Sequence, residues 1–228
     1  MEEFANEIKT MLNVDTVFEI PIFGGIEIFE SVVVSWIVMA VMLIAALLLT
    51  RDLKVENPGK RQVFVEFCVT SLQKIVKGIV GEEGQRYAQY LATVLVFIGI
   101  SNTIGLFGFK APTKDLNVTA ALALISIILI EYAGIHAKGA KKWLKSFAEP
   151  VAIITPLNVL EIFIKPLSLC MRLFGNVLGA FVIMELIKLV VPVALPAAFS
   201  LYFDIFDGLI QAYVFVFLTG LFIKEAIE

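Results

Sequence analysis

Residues 161–190 read EIFIKPLSLCMRLFGNVLGAFVIMELIKLV and belong to an apolar run that extends almost unbroken from residue 147 to residue 223. The run is interrupted only near Pro192 and Pro196. This pattern indicates two long helices joined by a proline-containing turn. Each helix is longer than a vertical membrane crossing requires, since about 20 residues span a bilayer, and the extra length permits a strong tilt.

The whole chain shares this apolar character. Of its 228 residues, 59% are hydrophobic and 17% are charged, and the mean hydropathy is +0.91. A soluble domain carries roughly 45–50% apolar and about 25% charged residues, and a soluble fold of this chain would leave broad apolar surface in water. The sequence therefore predicts an all-α integral membrane protein of about five to six helices, surrounded by the lipid bilayer.

Composition also excludes several classes of function. The net charge of −3 and the scattered basic residues do not form a nucleic-acid-binding footprint. Cys68 and Cys170 lie too far apart in sequence for a metal-binding or redox motif, and the single histidine, His136, is unable to ligate a haem from both sides. The sequence has no G-x-x-x-x-G-K-[ST] loop for a nucleotide. We expect no cofactor, no metal and no nucleic-acid partner.

We interpret residues 1–228 as one membrane domain. In chain order it comprises an acidic outer N-terminus (1–30), a first span (31–50), a basic loop with an amphipathic helix (51–85), a helical hairpin (86–137) and the long hairpin (146–228). Residues 63–80 separate apolar from charged side chains. This separation is typical of a helix that lies on the membrane surface.

The distribution of lysine and arginine orients the chain. Residues 51–86 carry seven of them and residues 138–145 carry four, whereas the opposite side has only Lys9, Lys110 and Lys114. Basic residues accumulate in cytoplasmic loops of membrane proteins. We therefore expect the N-terminus outside and the C-terminus in the cytoplasm.

Both helices of the long hairpin carry polar side chains at helical spacing. An ionisable group at mid-membrane costs at least ~2.5–3.5 kcal/mol, so such groups indicate a function. Steps of three and four residues place each set on one helix face. The two stripes are Glu161, Lys165, Ser168, Arg172 and Asn176 on the first helix, and Ser200, Asp204, Asp207 and Gln211 on the second. We expect these faces to meet each other or a shared partner rather than lipid.

Arg172 is the only charged residue between residues 166 and 184. Arginine keeps its proton in proteins, so Arg172 suits a fixed electrostatic gate that faces a transported ion or an ionised partner. The alternative is a structural pairing with an acid of this chain. Asp204 and Asp207 can titrate, and because two carboxylates one turn apart oppose each other's ionisation, they suit a site where a proton or cation waits.

Simpler roles are open for several other ionisable residues. Lys165 and Lys188 can extend toward the two membrane interfaces, and Glu185 can form a local ion pair with Lys188. Glu131 lies near the end of its span and can be interfacial. His136 lies among lysines and fits an interfacial side chain better than a ligand.

Residues 165–176, KPLSLCMRLFGN, resemble the signature of subunit a of the rotary F-type ATP synthases. Asn102 before Gly105-Leu-Phe, the turn KAPTKDLN at 110–117 and QAYVF at 211–215 agree in order. The resemblance runs from about residue 85 to the C-terminus and is with bacterial members. It implies an ion-translocating subunit in the bacterial cell membrane that is not an enzyme on its own.

The resemblance also implies a mechanism. Subunit a of this family is a stator beside a rotating ring of c subunits, each with a mid-membrane carboxylate. Two offset half-channels carry H⁺ or Na⁺ to and from those carboxylates. The arginine that matches Arg172 lies between the half-channels, favours the ionised ring carboxylate and blocks direct passage. The peripheral stalk subunit b is a further implied partner.

The remaining site residues of the outer side follow by the same matching. Asn176 and Gln211 would line the contact near Arg172, and Asp204 would line the outer half-channel. Many members carry a glutamate where this chain has Phe181, and Glu185, one turn later, would take over that role. Asp207 adds a second acid beside Asp204, while an acid that some relatives carry is replaced here by Gly105.

On the inner side, we assign Glu161, Ser168 and Glu131 to a half-channel because they lie toward the predicted cytoplasmic face. Two rival classes fit less well. An independent secondary ion transporter would show inverted repeats around a midplane site, and the sequence shows no convincing repeat. A passive anchor subunit of a respiratory complex would bind haem or quinone and would give no role to Arg172.

Overall fold

The computed structural model describes residues 16–20, 26–51, 53–54, 57, 59–107, 109–147, 153, 155–190 and 199–228. Part of the predicted acidic N-terminus and the predicted turn near Pro192 and Pro196 lie outside the described residues.

Helices dominate the described chain, as the sequence predicts. In chain order they are α1 (Glu30–Leu49), α2 (Lys60–Val80), α3 (Ala88–Thr103), α4 (Leu116–Lys138), α5 (Ala140–Ser146), α6 (Thr155–Val190) and α7 (Gly208–Ile227). Short 3₁₀ turns are at Gln85–Tyr87, Ile104–Phe107 and Pro112–Lys114, and a π-helical segment, Leu201–Asp207, leads into α7. The all-α fold class is therefore confirmed.

Five helical segments of the described chain are long and apolar enough to cross a membrane. They are Glu30–Leu49, Gln85–Phe107, Leu116–Lys138, Thr155–Lys188 and Leu201–Ile227. Large apolar side chains such as Leu47, Ile128 and Phe163 are more than half exposed along these segments. Such a surface is unfavourable in water and favourable in lipid. The chain is a multi-pass membrane protein.

The amphipathic helix is α2, which begins at Lys60, three residues before the predicted start. Val76 and Val80 are buried against the rest of the fold, whereas Phe64 and Phe67 are about two thirds exposed. Exposed aromatic rings beside basic residues fit a helix at the membrane surface.

The helix α7 lies at the centre of the fold, because it packs against α2, α3 and α4, while α4 also packs against α6. The core between these helices consists of fully buried aliphatic side chains. Among them are Leu91 and Ile98 of α3, Ile130 of α4, Leu169 of α6 and Val216 of α7. This packing holds the second half of the chain together.

Two glycines of α7 allow neighbouring helices to approach closely. A Cβ atom built on Gly220 would lie 2.7 Å from Cγ2 of Ile79, and one built on Gly208 would lie 2.8 Å from Cβ of Asn102. Both distances are shorter than carbon atoms tolerate. Small residues at helix contacts are the usual means of close packing in membranes, and here they bring α2 and α3 against α7.

Two buried polar contacts fix the turn before α4. The Thr113 hydroxyl donates to Oδ1 of Asn102 at 2.5 Å, and Nδ2 of Asn102 donates to the Gly208 carbonyl at 2.9 Å. Asp115 caps α4 by accepting from the Asn117 backbone N–H at 2.9 Å, and it also accepts from the Ser31 hydroxyl. The turn is therefore bonded to α1 and α3, and Asn102 in turn joins it to the start of α7.

A β-hairpin precedes α1, and the sequence analysis did not predict it. Strand β1 (Thr16–Ile20) pairs antiparallel with β2 (Ile26–Phe29), and Glu19 lies opposite Glu27. The segment was interpreted by its negative charge alone. Its β-branched residues and its alternation of apolar with polar residues are typical of strands, and they outweigh the charge.

Replacing Asn102 with leucine removes both of its hydrogen bonds and leaves a buried carbonyl and a buried hydroxyl without this partner. We expect a loss of about 1–3 kcal/mol in the free energy of unfolding. The measurement is a titration of the purified chain in detergent micelles with sodium dodecyl sulfate.

The matched control is Thr103→Val, because the Thr103 hydroxyl bonds to carbonyls of its own helix, those of Gly99 and Ile100. We expect this variant to change the free energy of unfolding by less than about 0.5 kcal/mol. Equal losses for the two variants would contradict the bridging role of Asn102.

Candidate functional site

Arg172 lies in the interior of α6, and its side chain is exposed. Within the described part of the chain, no hydrogen bond or ion pair to its guanidinium is found. The alternative in which Arg172 pairs with an acid of this chain therefore has no support among the described residues. The permanent charge of Arg172 therefore lies on the outer surface of an apolar helix.

The surface around Arg172 is polar and uncovered. Ser168 and Asn176 of the same stripe are exposed, as are the apolar Leu167 and Met171. A Cβ atom built on Gly175 would meet no described atom within 4 Å. We call this surface, formed by the exposed residues Leu167, Ser168, Met171, Arg172, Gly175 and Asn176 of α6, the Arg172 face.

A large cavity of about 570 Å³ lies near one end of α6. It brings together the predicted residues Glu185, Asp204 and Asp207, which come from α6 and from the π-helical segment. Its other lining residues include Asn102, Gly105, Lys110, Lys114, Phe181 and Lys188. Acids from two different helical segments therefore share with lysines one cavity that is large enough for several water molecules.

Individual contacts define the acids of the large cavity. Oε1 of Glu185 is 2.8 Å from Nζ of Lys188, so the predicted local ion pair is present, and the Glu185 side chain is only 18% exposed. Asp207 accepts a long hydrogen bond of 3.5 Å from the amide of Gln211. Gln211 is buried, so it belongs to the packed side of α7 rather than to the Arg172 face.

Gly105 faces Asp204 across the large cavity. A Cβ atom built on Gly105 would lie 3.1 Å from Oδ1 of Asp204. A side chain at residue 105 and the carboxylate at residue 204 therefore occupy neighbouring space, although they come from different helices. The carboxylate of Asp204 therefore lies beside the position where an acidic side chain at residue 105 would be.

Lys114 also lines the large cavity, and the sequence analysis did not select it. Its Nζ lies 3.0 Å from the ring centroid of Phe181, a cation–π contact. Burial lowers the pKa of Lys114 to about 8, and repulsion from Lys110 acts in the same direction. The adjoining Lys110 is 2.9 Å from a carboxylate oxygen of Glu30.

A second, small cavity of about 230 Å³ lies at the other end of the helices. Two of the three residues assigned to the inner half-channel, Glu131 and Glu161, line this cavity, whereas the third, Ser168, does not. Nε1 of Trp143 donates to Glu131 at 3.1 Å. Glu225, near the C-terminus, is a lining residue that the sequence analysis did not select.

Lys165 joins the acids of the small cavity. Its Nζ lies 3.6 Å from Glu161 and 3.3 Å from Glu225, and only 15% of its side chain is exposed. Lys165 therefore links α6 to the end of α7, rather than merely extending toward an interface. The ring of Phe222 lies 5.1 Å from its ammonium.

The Arg172 face lies between the two cavities along α6. At a rise of 1.5 Å per residue, Arg172 is about 16 Å from Glu161 and about 20 Å from Glu185 along the helix axis. Arg172 lines neither cavity. One helix thus presents an acid-containing space at each end and an outward-facing cation between them.

The amino-acid sequence itself matches known proteins. The sequence model of the family described as ATP synthase A chain matches residues 32–224. The chain belongs to this family. The protein called ATP synthase subunit a from Moorella thermoacetica is 38% identical over 210 residues, which cover 90% of this chain and 94% of that protein. ATP synthase subunit a 2 from a Bradyrhizobium species is 35% identical over 209 residues, which cover 90% and 91%.

His136, which the sequence predicts to be an interfacial side chain rather than a ligand, lies apart from both cavities. Nη1 of Arg86 is 2.5 Å from its Nε2, and the ring of Tyr132 stacks on it at 5.9 Å. Across the described ranges, no group of three or more His, Cys, Asp or Glu side chains is arranged to hold a metal ion. His136 therefore has the contacts of an ordinary polar side chain.

The contact between Gly105 and Asp204 can be tested by a disulfide. A Cβ atom at residue 105 would lie 3.3 Å from Cγ of Asp204, which places the two Cβ positions within the range of a disulfide. In a chain with Cys68→Ser and Cys170→Ala, we expect Gly105→Cys and Asp204→Cys to cross-link readily under mild oxidation. The readout is linkage of the two fragments after cleavage between these residues.

The control pair is Gly105→Cys with Gly175→Cys, because residue 175 lies on the uncovered Arg172 face. We expect little cross-linking in this pair. Similar yields for both pairs would refute the placement of Asp204 against residue 105.

Proposed function

We propose that this chain is the ion-translocating stator of an F-type ATP synthase, and that Arg172 is its electrostatic gate. The observation that carries the proposal is the exposed guanidinium of Arg172, which has no ion-pair partner among the described residues. A buried or membrane-facing charge requires a counter-charge. The counter-charge is the carboxylate of a c-ring subunit that rotates past the Arg172 face.

The gate acts through its permanent charge. Since arginine does not lose its proton, Arg172 lowers the proton affinity of a carboxylate that comes close to it, and the carboxylate releases its ion. The same charge repels hydronium and Na⁺, so ions do not pass directly between the two access paths. Asn176 lies one turn along the same exposed face and contacts the passing ring.

The two cavities are parts of the two access paths. The large cavity, with Glu185, Asp204 and Asp207, opens to the outside. The small cavity, with Glu131 and Glu161, opens to the cytoplasm, since Lys138 of the basic loop lines it and basic loops are cytoplasmic. Ser168 lies between the small cavity and Arg172 on the exposed face, and Gln211 supports Asp207 from the packed side.

Separation of the paths gives the energy coupling. An ion that crosses the full potential gains ~2.3 kcal/mol per 100 mV, and several crossings must contribute to one ATP. A direct leak between paths that lie at opposite ends of α6 would waste that energy. The ring has to turn for the ion, H⁺ or Na⁺, to move from one path to the other.

The proposal includes the remaining partners and the location. The chain lies in the bacterial cell membrane with its N-terminus outside and its C-terminus in the cytoplasm, and subunit b of the peripheral stalk holds it against the rotating ring. The open space at Gly175 allows a ring helix to approach the Arg172 face closely. ATP is made elsewhere in the complex, and this chain supplies only ion transport.

Arg172→Ala should abolish ATP-driven ion uptake by sealed vesicles that contain the assembled complex, to below about one hundredth of the wild-type rate, because the ring carboxylates no longer release their ions. Passive ion flux under an imposed potential should rise, because the barrier between the paths is lost. The measurement is a pH-sensitive dye for uptake and a separate recording of passive flux.

Arg86→Ala is the matched control, since Arg86 is bonded to His136 and lies away from both cavities. It should pump at nearly the wild-type rate. Normal pumping by Arg172→Ala would refute the gate. Ion flux through the isolated chain, without a ring, would instead indicate an independent secondary transporter.

Gly105→Asp places a second carboxylate against Asp204, and like charges at this distance oppose each other's ionisation. We expect this variant to slow ATP-driven uptake several-fold. Adding Asp204→Asn restores a single carboxylate in the same space, and the double variant should recover most of the lost rate. A double variant that is slower than either single variant would contradict the shared role of the two positions.

A further inference from the structure

Lys114 is placed to influence the acids of the large cavity. It ends the short 3₁₀ turn before α4, and its ammonium lies 3.0 Å from the centroid of the Phe181 ring on α6. The turn itself is fixed, because Thr113 bonds to Asn102 and Asp115 caps α4. The charge therefore has a defined position in the cavity.

Charged groups surround Lys114 on each side of the large cavity. Glu30 begins α1 and pairs with Lys110 of the preceding loop. Glu185 and Lys188 face it from α6, and Asp204 and Asp207 from the π-helical segment. The carboxylate of Asp115, the next residue along the chain, accepts hydrogen bonds from the Ser31 hydroxyl and from the Asn117 backbone N–H at the start of α4. The interaction of Lys114 with Glu185 is attractive.

We propose that Lys114 is a positioning residue of the ion pathway, whose ammonium sets how readily the large cavity takes up a proton. This inference rests on the proposed function and deepens it. The positive charge of Lys114 repels an incoming proton and attracts the carboxylate of Glu185. A charged Lys114 weakens proton binding in the cavity, and a neutral Lys114 strengthens it.

The Lys114 side chain can be charged or neutral within the range of pH that surrounds living cells. Because burial lowers the pKa of Lys114 to about 8, it is an ammonium in neutral or acidic surroundings and a neutral amine in alkaline surroundings. At low external pH the cavity then releases its proton easily. At high external pH, where protons are scarce, the cavity binds them more tightly.

The experiment uses the assembled complex in sealed vesicles whose lumen faces the large cavity. ATP synthesis is driven by a fixed potassium diffusion potential, the outer pH is held constant, and the lumenal pH is varied from acid to alkaline. The compared chains are the wild type, Lys114→Met, which is neutral at every pH, and Lys114→Arg, which is charged at every pH.

Below pH 8 we expect the wild type to follow Lys114→Arg, whereas Lys114→Met reaches its half-maximal rate at a proton concentration about three- to tenfold lower. This range corresponds to one charge acting across a cavity with an effective dielectric constant of about 20. Above pH 8 the wild type should follow Lys114→Met instead. A wild-type curve that follows the charged variant below pH 8 and the neutral variant above it requires a titrating charge at residue 114. Loss of packing alone would not produce this result.

Lys224→Met is the matched control, because Lys224 is an exposed lysine on α7 that pairs with Glu228 and lines neither described cavity. Its curve should coincide with that of the wild type. If Lys114→Arg assembles poorly, Lys114→Gln provides a second neutral variant, and it must reproduce the displacement of Lys114→Met below pH 8.

Two results would overturn the inference. In one, the wild type and Lys114→Met give the same curve at every pH. In the other, the neutral and the charged variants are displaced equally, which is the result of a packing role. Both results leave the proposed function intact as long as Arg172→Ala still abolishes synthesis, whereas normal synthesis by Arg172→Ala removes the proposed function itself.

Discussion

The buried amide of Asn102 is the contact on which the large cavity depends. It accepts a hydrogen bond from Thr113 and donates one to the Gly208 carbonyl, so one side chain joins the turn before α4, the end of α3 and the start of α7. Within a bilayer, buried polar groups must be satisfied inside the protein. The absence of a side chain at Gly208 allows the contact, since a Cβ atom there would lie 2.8 Å from Asn102. The positions of Lys114 and Asp204 follow from this junction.

The sequence predicted the features that follow from the bilayer and from one helix at a time. Long apolar stretches must be helical in lipid, and the five spanning segments follow from that requirement. Steps of three and four residues identified the exposed stripe that includes Ser168 and Arg172. The strands Thr16–Ile20 and Ile26–Phe29 were missed because they are short, and the segment was interpreted by its acidic charge instead of its alternation of apolar and polar residues.

Contacts between distant segments were beyond a single sequence. Lys114 was interpreted as a turn residue, and nothing in its spacing to Phe181 indicates that the two side chains touch. Glu225 reaches Lys165 only because α7 runs beside α6. In each case the residues are more than fifty positions apart, and helical periodicity relates only neighbours on one helix. Packing decided these contacts.

Every charged side chain of α6 except Arg172 forms an ion pair within the described chain, and this difference supports an external partner for Arg172. Lys188 pairs with Glu185, Lys165 joins Glu161 and Glu225, and Lys110 pairs with Glu30. Among the described residues, Arg172 has no such acid. In the proposed function, a gate that was neutralised within its own chain would exert little force on a passing carboxylate. An exposed, permanently charged side chain, between two cavities at either end of one helix, retains that force for a partner that arrives and leaves.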